Sequence, residues 1–391
     1  MSTAHRFTNG HVVVGDAVRR GAEIVVTGDR IASIRPLDGA ATDAVDLEGG
    51  WVMPGFIDTQ VNGGGGVLLN DEPTVEGVRA IAAAHARYGT TALMPTLISD
   101  TPDRIALALD AVDQAIGAGV PGVVGVHIEG PFLNVARKGI HDAGRFRLLD
   151  EEMVALLAKP RRGVTMVTIA PELANIDHIR RLAAAGVRVS AGHTEVPYDT
   201  ALAAFDAGLT GITHLFNAMP AMVQRTPGLV GAALDDPRPW CGLIVDGVHV
   251  APAVLRIAIR ARGPERMMLV TDAMSSVGAE HKDFVLQGRQ IRVADGICSY
   301  EDGTLAGSDL DMATAVANAM GMLGLEPAVA ARMAAGNPAA FLGLEAERGT
   351  LAAGLRADWA RLTAAMAPVE TVIGGVAVPG AAAKEHEAVN A

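Results

Sequence analysis

The chain has 391 residues, half of them hydrophobic, with a formal net charge of −12 and only two cysteines. This length suits one large domain with an appended module, and an acidic balance without basic runs or an aromatic stripe excludes nucleic acid as the expected partner. No apolar run approaches the ~20 residues of a membrane span, residues 1–10 lack a signal-peptide core, and two cysteines rule out a disulfide framework or thiolate zinc cluster, so a cytoplasmic chain with no membrane partner is expected.

From the N-terminus, residues 11–14, 22–26 and 30–34 read as short alternating strands, with Gly28-Asp29 as a hairpin turn between the last two. Residues 357–362 and 369–378 carry the same pattern, so the two chain ends are expected to fold together. A small β-sandwich from 1–53 and 345–391 would leave 54–344 for the main domain. That middle stretch alternates apolar runs at 55–61, 90–96, 123–128, 164–169, 187–191, 211–215, 243–248 and 267–272 with alanine-rich helical segments such as 75–87, 102–116 and 175–185. Gly89, Gly119, Gly186 and Gly208 close several of these helices. Eight repeats fit a closed (β/α)8, TIM-like barrel. An open doubly wound sheet shares the alternation, but polar residues end most of the runs, which favours the barrel. Beyond the eighth run, 284–300 reads as an inserted hairpin bending at Asp295-Gly296, followed by helical segments at 310–323 and 327–335.

The polar strand ends carry the chemistry. Glu129 closes the third run and Gly130-Pro131 stops it; His193 and His214 end the fifth and sixth, His249 follows the seventh, and Asp272 ends the eighth. One histidine in such a place is ordinarily a hydrogen-bonded structural residue, but this many polar ends at one barrel mouth point to a site. One carboxylate and two imidazoles leave an open position on a divalent ion such as Zn²⁺, the composition of a catalytic centre. Asp272 reads as a general base beside it, or as the N-cap of a following helix. A metal lowers the pKa of water from about 15.7 to about 7, and a nearby carboxylate can take that proton and return it to a leaving group.

Pro54-Gly55-Phe56-Ile57-Asp58 after a β-rich leader, the strand-end residues, and Asp302-Gly303-Thr304-Leu305-Ala306-Gly307-Ser308 resemble the amidohydrolase superfamily. Within it, His127-Ile128-Glu129-Gly130-Pro131-Phe132, Ala191-Gly192-His193-Thr194 and His214-Leu215-Phe216-Asn217-Ala218-Met219 resemble the N-acetylglucosamine-6-phosphate deacetylases. The resemblance implies Glu129, His193 and His214 as metal ligands and Asp272 as acid/base. It implies substrate contacts from Ile140, His141 and His249, and phosphate or sugar contacts from Asn217, Ala218, Arg225, Leu305, Ala306 and Gly307. Arg225 is expected to act in its own or a neighbouring subunit's site, with a homodimer as the functional unit. Many amidohydrolases hold a second metal through His-X-His on the first strand, whereas this chain reads Asp58-Thr59-Gln60-Val61-Asn62-Gly63. Amides are poor ligands for a tightly held ion, and the fourth strand offers no bridging lysine, so one divalent ion is expected: zinc first, with Fe²⁺, Co²⁺ or Mn²⁺ as alternatives. Gly63 to Gly66 reads as a flexible loop at the mouth. The implied reaction is deacetylation of N-acetylglucosamine 6-phosphate. The alternatives are another amino-sugar phosphate, an unrelated N-acyl amide, or a non-catalytic scaffold, which the intact ligand set disfavours.

Overall fold

A computed structural model describes residues 2–37 and 43–383; residues 1, 38–42 and 384–391, all within the stretches expected to form the small domain, lie outside it. Eight strands follow one another in chain order across a single sheet: β1 (Phe56–Val61), β2 (Thr90–Ile98), β3 (Gly125–Glu129), β4 (Val164–Ile169), β5 (Arg188–Ala191), β6 (Gly211–Ile212), β7 (Trp240–Leu243) and β8 (Met267–Leu269). From β2 to β8 every neighbouring pair is parallel. The two edges meet just past β1 and β8. The Asp272 N–H donates to the Gln60 carbonyl at 3.0 Å, the Asn62 N–H donates to the Ala273 carbonyl at 2.8 Å, and Val61 bridges Ala273 in parallel. This closed sheet is the (β/α)8 barrel.

All nine residues of β2 are buried, as in a parallel strand covered on both faces. Helix Pro102–Gly117 shows why the connecting segments are helical: Thr101 accepts from the Arg104 N–H, a proline occupies the first turn, and Ile105, Ala108, Leu109, Val112 and Ala115 form one buried stripe. Gly119, φ +70°, turns the chain out just beyond it.

The seventh strand and the Gly63 to Gly66 stretch differ from expectation. The seventh strand is Trp240–Leu243 rather than 243–248. Asp246 Oδ1 captures the N–H groups of Val248 and His249, each at 2.9 Å, and Gly247 takes φ +77°, so this stretch turns instead of extending. The hairpin expected within 284–300 is present, Arg289–Ala294 pairing with Ile297–Ser299 around Asp295-Gly296, and it sits inside a four-stranded antiparallel sheet completed by Phe284–Leu286 and Leu305–Ser308. Gly63 to Gly66 is no flexible loop: Gly63 and Gly64 pair with Leu68 and Val67 across a tight turn, and a Cβ on Gly63 would lie 2.3 Å from the Val67 carbonyl oxygen.

The described chain divides into two compact units, one of Met1–Asp58, Ala83–Ala92 and Asp311–Ala391, the other of Thr59–Ala82 and Leu93–Leu310. In the first, strands from both chain ends form one mixed sheet in the order Val376–Pro379, Pro368–Ile373, Trp359–Leu362, Trp51–Pro54, Ser2–Val14, Ala17–Thr27, Arg30–Arg35. Its apolar core includes Phe7, Ile24, Val52, Leu351 and Trp359. The Trp359 ring, wholly buried, meets His5 and Phe7 edge-on at 5.0 and 6.5 Å. The segment expected as one helix at 327–335 is Pro327–Ala331 running into a π-helical turn, Arg332–Gly336. Among the described residues no helix is long and apolar enough to cross a membrane.

Candidate active site

Glu129 is the last residue of β3, while His193 and His214 each lie two residues past β5 and β6. At those two histidines and at Asp272 the backbone is left-handed, with φ +49°, +34° and +53°. Non-glycine residues seldom adopt this conformation, and such strain concentrates at functional sites. The turn that follows each strand thus aims the side chain across the mouth. His193 Nε2 and His214 Nε2 lie 3.0 Å apart, and Glu129 Oε1 lies 3.3 Å from the first and 3.0 Å from the second. Zn–N bonds of about 2.0–2.1 Å in a tetrahedron give ligand edges of about 3.3 Å, so this buried triangle fits one divalent ion. His193 Nδ1 lies 2.8 Å from the Arg137 carbonyl, to which it must donate, leaving Nε2 free as the ligand atom.

Burial works against charge on Glu129, yet its contacts with the imidazoles of His193 and His214 outweigh burial and hold the carboxyl well below its usual range. Asp272 goes the other way. Burial, reinforced by the negative charge of Glu129, pushes it up to about 6. The Asp272 Oδ1 accepts from Asn62 Nδ2 at 2.7 Å and from Gln60 Nε2 at 3.0 Å, and the same Gln60 nitrogen is 3.2 Å from both oxygens of Glu129. No helix follows Asp272, since the next element is the strand Phe284–Leu286, and this removes the N-cap reading.

The remaining residues divide by position. A cleft of about 310 Å³ is lined by Glu129, His193, His214 and Asp272 together with Ile140, His141, Asn217, Ala218, His249, Leu305 and Gly307. Ala306, between the last two, is instead buried in an apolar cluster with Ile98, Met274 and Leu286. Arg225 is exposed and lines a separate cavity with Glu195, Tyr198 and Asp199. Among the described residues, no arginine or lysine lines the catalytic cleft.

Two supports escaped the sequence reading. The His249 Nδ1 donates to Asp246 Oδ2 at 2.5 Å, so Asp246 holds this imidazole as well as its turn. The spacing Asp246-Gly247-Val248-His249 was the available signal. The other support is Ser99, whose backbone N–H donates to His141 Nδ1 at 3.3 Å while its hydroxyl lies 2.7 Å from the same atom. A backbone N–H can only donate, so Nδ1 is unprotonated and the ring proton sits on Nε2. Burial, aided by the neighbouring His193, lowers His141 to about 3 and keeps it a neutral donor.

A metal-assisted hydrolase is the class of protein that this barrel mouth defines. A model of the amidohydrolase family matches residues 51–378. An N-acetylgalactosamine-6-phosphate deacetylase of Shewanella sp. is 43% identical over 80% of this chain and 79% of its own length. An N-acetylglucosamine-6-phosphate deacetylase of Haemophilus influenzae is 33% identical over 92% of this chain and 95% of its own. The crystal structure of N-acetylglucosamine-6-phosphate deacetylase from Pasteurella multocida superimposes with a TM-score of 0.92 at 31% identity, covering 97% of this chain and 100% of that one. The chain belongs to the amidohydrolase family and, within it, to the N-acetylglucosamine-6-phosphate deacetylases.

Proposed function

We propose that this protein deacetylates N-acetyl-D-glucosamine 6-phosphate, releasing D-glucosamine 6-phosphate and acetate, as part of amino-sugar breakdown and cell-wall recycling. The observation that carries this reading is the triangle of Glu129, His193 and His214 with Asp272 tied to it through Gln60. One divalent ion, zinc by preference, would be held by Glu129 Oε1 and the two Nε2 atoms. There it would polarise the acetamide carbonyl and make water acidic enough to yield a proton near neutral pH. Asp272, held by Asn62 and Gln60, takes that proton as the water oxygen attacks the carbonyl carbon. When the C–N bond breaks, the same carboxyl gives the proton to the departing amine. His141 donates its Nε2–H to the carbonyl oxygen as charge builds there.

Asn217, Ala218, His249, Leu305 and Gly307 hold the sugar phosphate along the cleft wall, with Ile140 against an apolar face. Since no arginine or lysine among the described residues lines this cleft, the phosphate takes its arginine from elsewhere, and Arg225 of a second copy is the group we assign, in a homodimer. We place the small domain at 1–53 with 345–391 and the catalytic barrel at 54–344, and the protein in the cytoplasm, where a phosphate ester that cannot cross a bilayer is kept. One observation favours a second reading, deacetylation of the galactosamine epimer: the relative at 43% identity has that activity in its name. Acetate release, measured in parallel on the two epimeric 6-phosphates and on unphosphorylated N-acetylglucosamine, tests both. Preference for the galactosamine epimer would replace the first reading with the second, and no release from any of them would overturn both.

A further inference from the structure

The hairpin formed by Phe284–Leu286 and Arg289–Ala294 turns through Gln287-Gly288, with φ +49° and +80°. Two positive φ angles in a two-residue turn is the type I′ pattern, which favours Asn or Gly at its first position. A glutamine there is strained, so its side chain is the place to look for a reason. Its amide spans two backbone segments of the catalytic mouth. Gln287 Oε1 accepts from the Asp142 N–H at 3.1 Å, and Nε2 donates to the Ser99 carbonyl at 3.0 Å. Asp142 follows His141 in the chain, and Ser99 supplies both groups that meet His141 Nδ1. The base of the hairpin is firm, because Leu286 and Ile291 are buried in one cluster with Ile98, against which Ile140 packs.

We propose that Gln287 is a positioning residue that fixes the His141 loop against Ser99 and so aims the His141 Nε2–H into the cleft. This rests on the reading of His141 as the donor to the acetamide carbonyl. Gln287 is exposed, so its two bonds contribute little to global stability and act on the geometry of the reacting groups.

Gln287→Gly tests this, because it deletes the amide while giving the turn the residue that best accepts positive φ. Expected are a kcat for acetate release lowered about tenfold, a KM for the sugar phosphate within about twofold, and a thermal midpoint equal to or above that of the parent. Gln287→Asn, which suits the turn but falls one methylene short, should show the same loss. In a His141→Ala background Gln287→Gly should cost nothing further, as for residues acting as a unit. An unchanged kcat in Gln287→Gly, a fall in kcat accompanied by a lower midpoint, or an equal factor lost in both backgrounds would each overturn the assignment. A His141→Ala variant with parental kcat would strike the His141 reading itself. Loss in His141→Ala with full activity in Gln287→Gly removes Gln287 alone.

Discussion

The amide nitrogen of Gln60 lies 3.2 Å from both carboxylate oxygens of Glu129. An amide nitrogen in that role is a donor with no lone pair to offer, and Asn62 Nδ2 plays the same part toward Asp272. Gln60 and Asn62 therefore clamp the two carboxylates as donors and offer no ligand for a second cation. One tightly held divalent ion per chain is the expected result of elemental analysis on active protein. Chelation should abolish acetate release and a single equivalent of metal should restore it; two tight ions in fully active enzyme would refute the assignment.

Asp272→Asn keeps an acceptor oxygen for Gln60 and Asn62 but cannot carry a proton. The kcat should fall by about 10² to 10⁴ while metal content and thermal midpoint stay near those of the parent. His193→Ala and His214→Ala should lose the ion together with activity. If Asp272→Asn shed the metal in step with turnover, the carboxylate would be a ligand and another base would be needed.

Arg225 lies outside the cleft of its own chain, which makes its contribution testable across subunits. Arg225→Ala should weaken use of the phosphorylated sugar by about 1.5 to 3 kcal/mol and leave the slow reaction of the unphosphorylated sugar nearly unchanged. Mixing Arg225→Ala with Asp272→Asn protein should regenerate sites that have both groups, so two impaired parents should give a more active mixture. Equal losses on both substrates would remove Arg225 from phosphate binding, and a mixture no better than its parents would return it to its own subunit.

Trp359, on a C-terminal strand, buries its ring against Phe7 of an N-terminal strand. Trp359→Ala should cost about 3 to 5 kcal/mol of unfolding free energy, read from denaturant titration. A loss under 1 kcal/mol would show that this core closes without the indole.

The barrel was legible because most of its strands and helices announce themselves locally, through apolar period and capping residues such as Thr101 and Gly119. Glu129, His193, His214 and Asp272 were legible for the same reason: a polar residue ending an apolar strand needs no knowledge of distant neighbours to be noticed. The seventh strand is the exception: apolar residues 243–248 have an extended pattern, but Asp246 bonds the backbone of Val248 and His249 and turns the chain. Ser99 and Gln287 gave no sign at all. Their partners are far along the chain, 42 residues separating Ser99 from His141 and 188 separating Gln287 from Ser99. The sequence by itself determined most of the elements, the candidate donor residues and the lack of imidazoles on the first strand, because these are properties of residue type and local period. Only the tertiary structure decided that the donors converge to about 3 Å, that His141 carries its proton on Nε2, and that Arg225 stands apart from the cleft. Those are distances and orientations between segments remote in sequence, set by how the sheet closes and which turns reach over its mouth, and no local pattern encodes them.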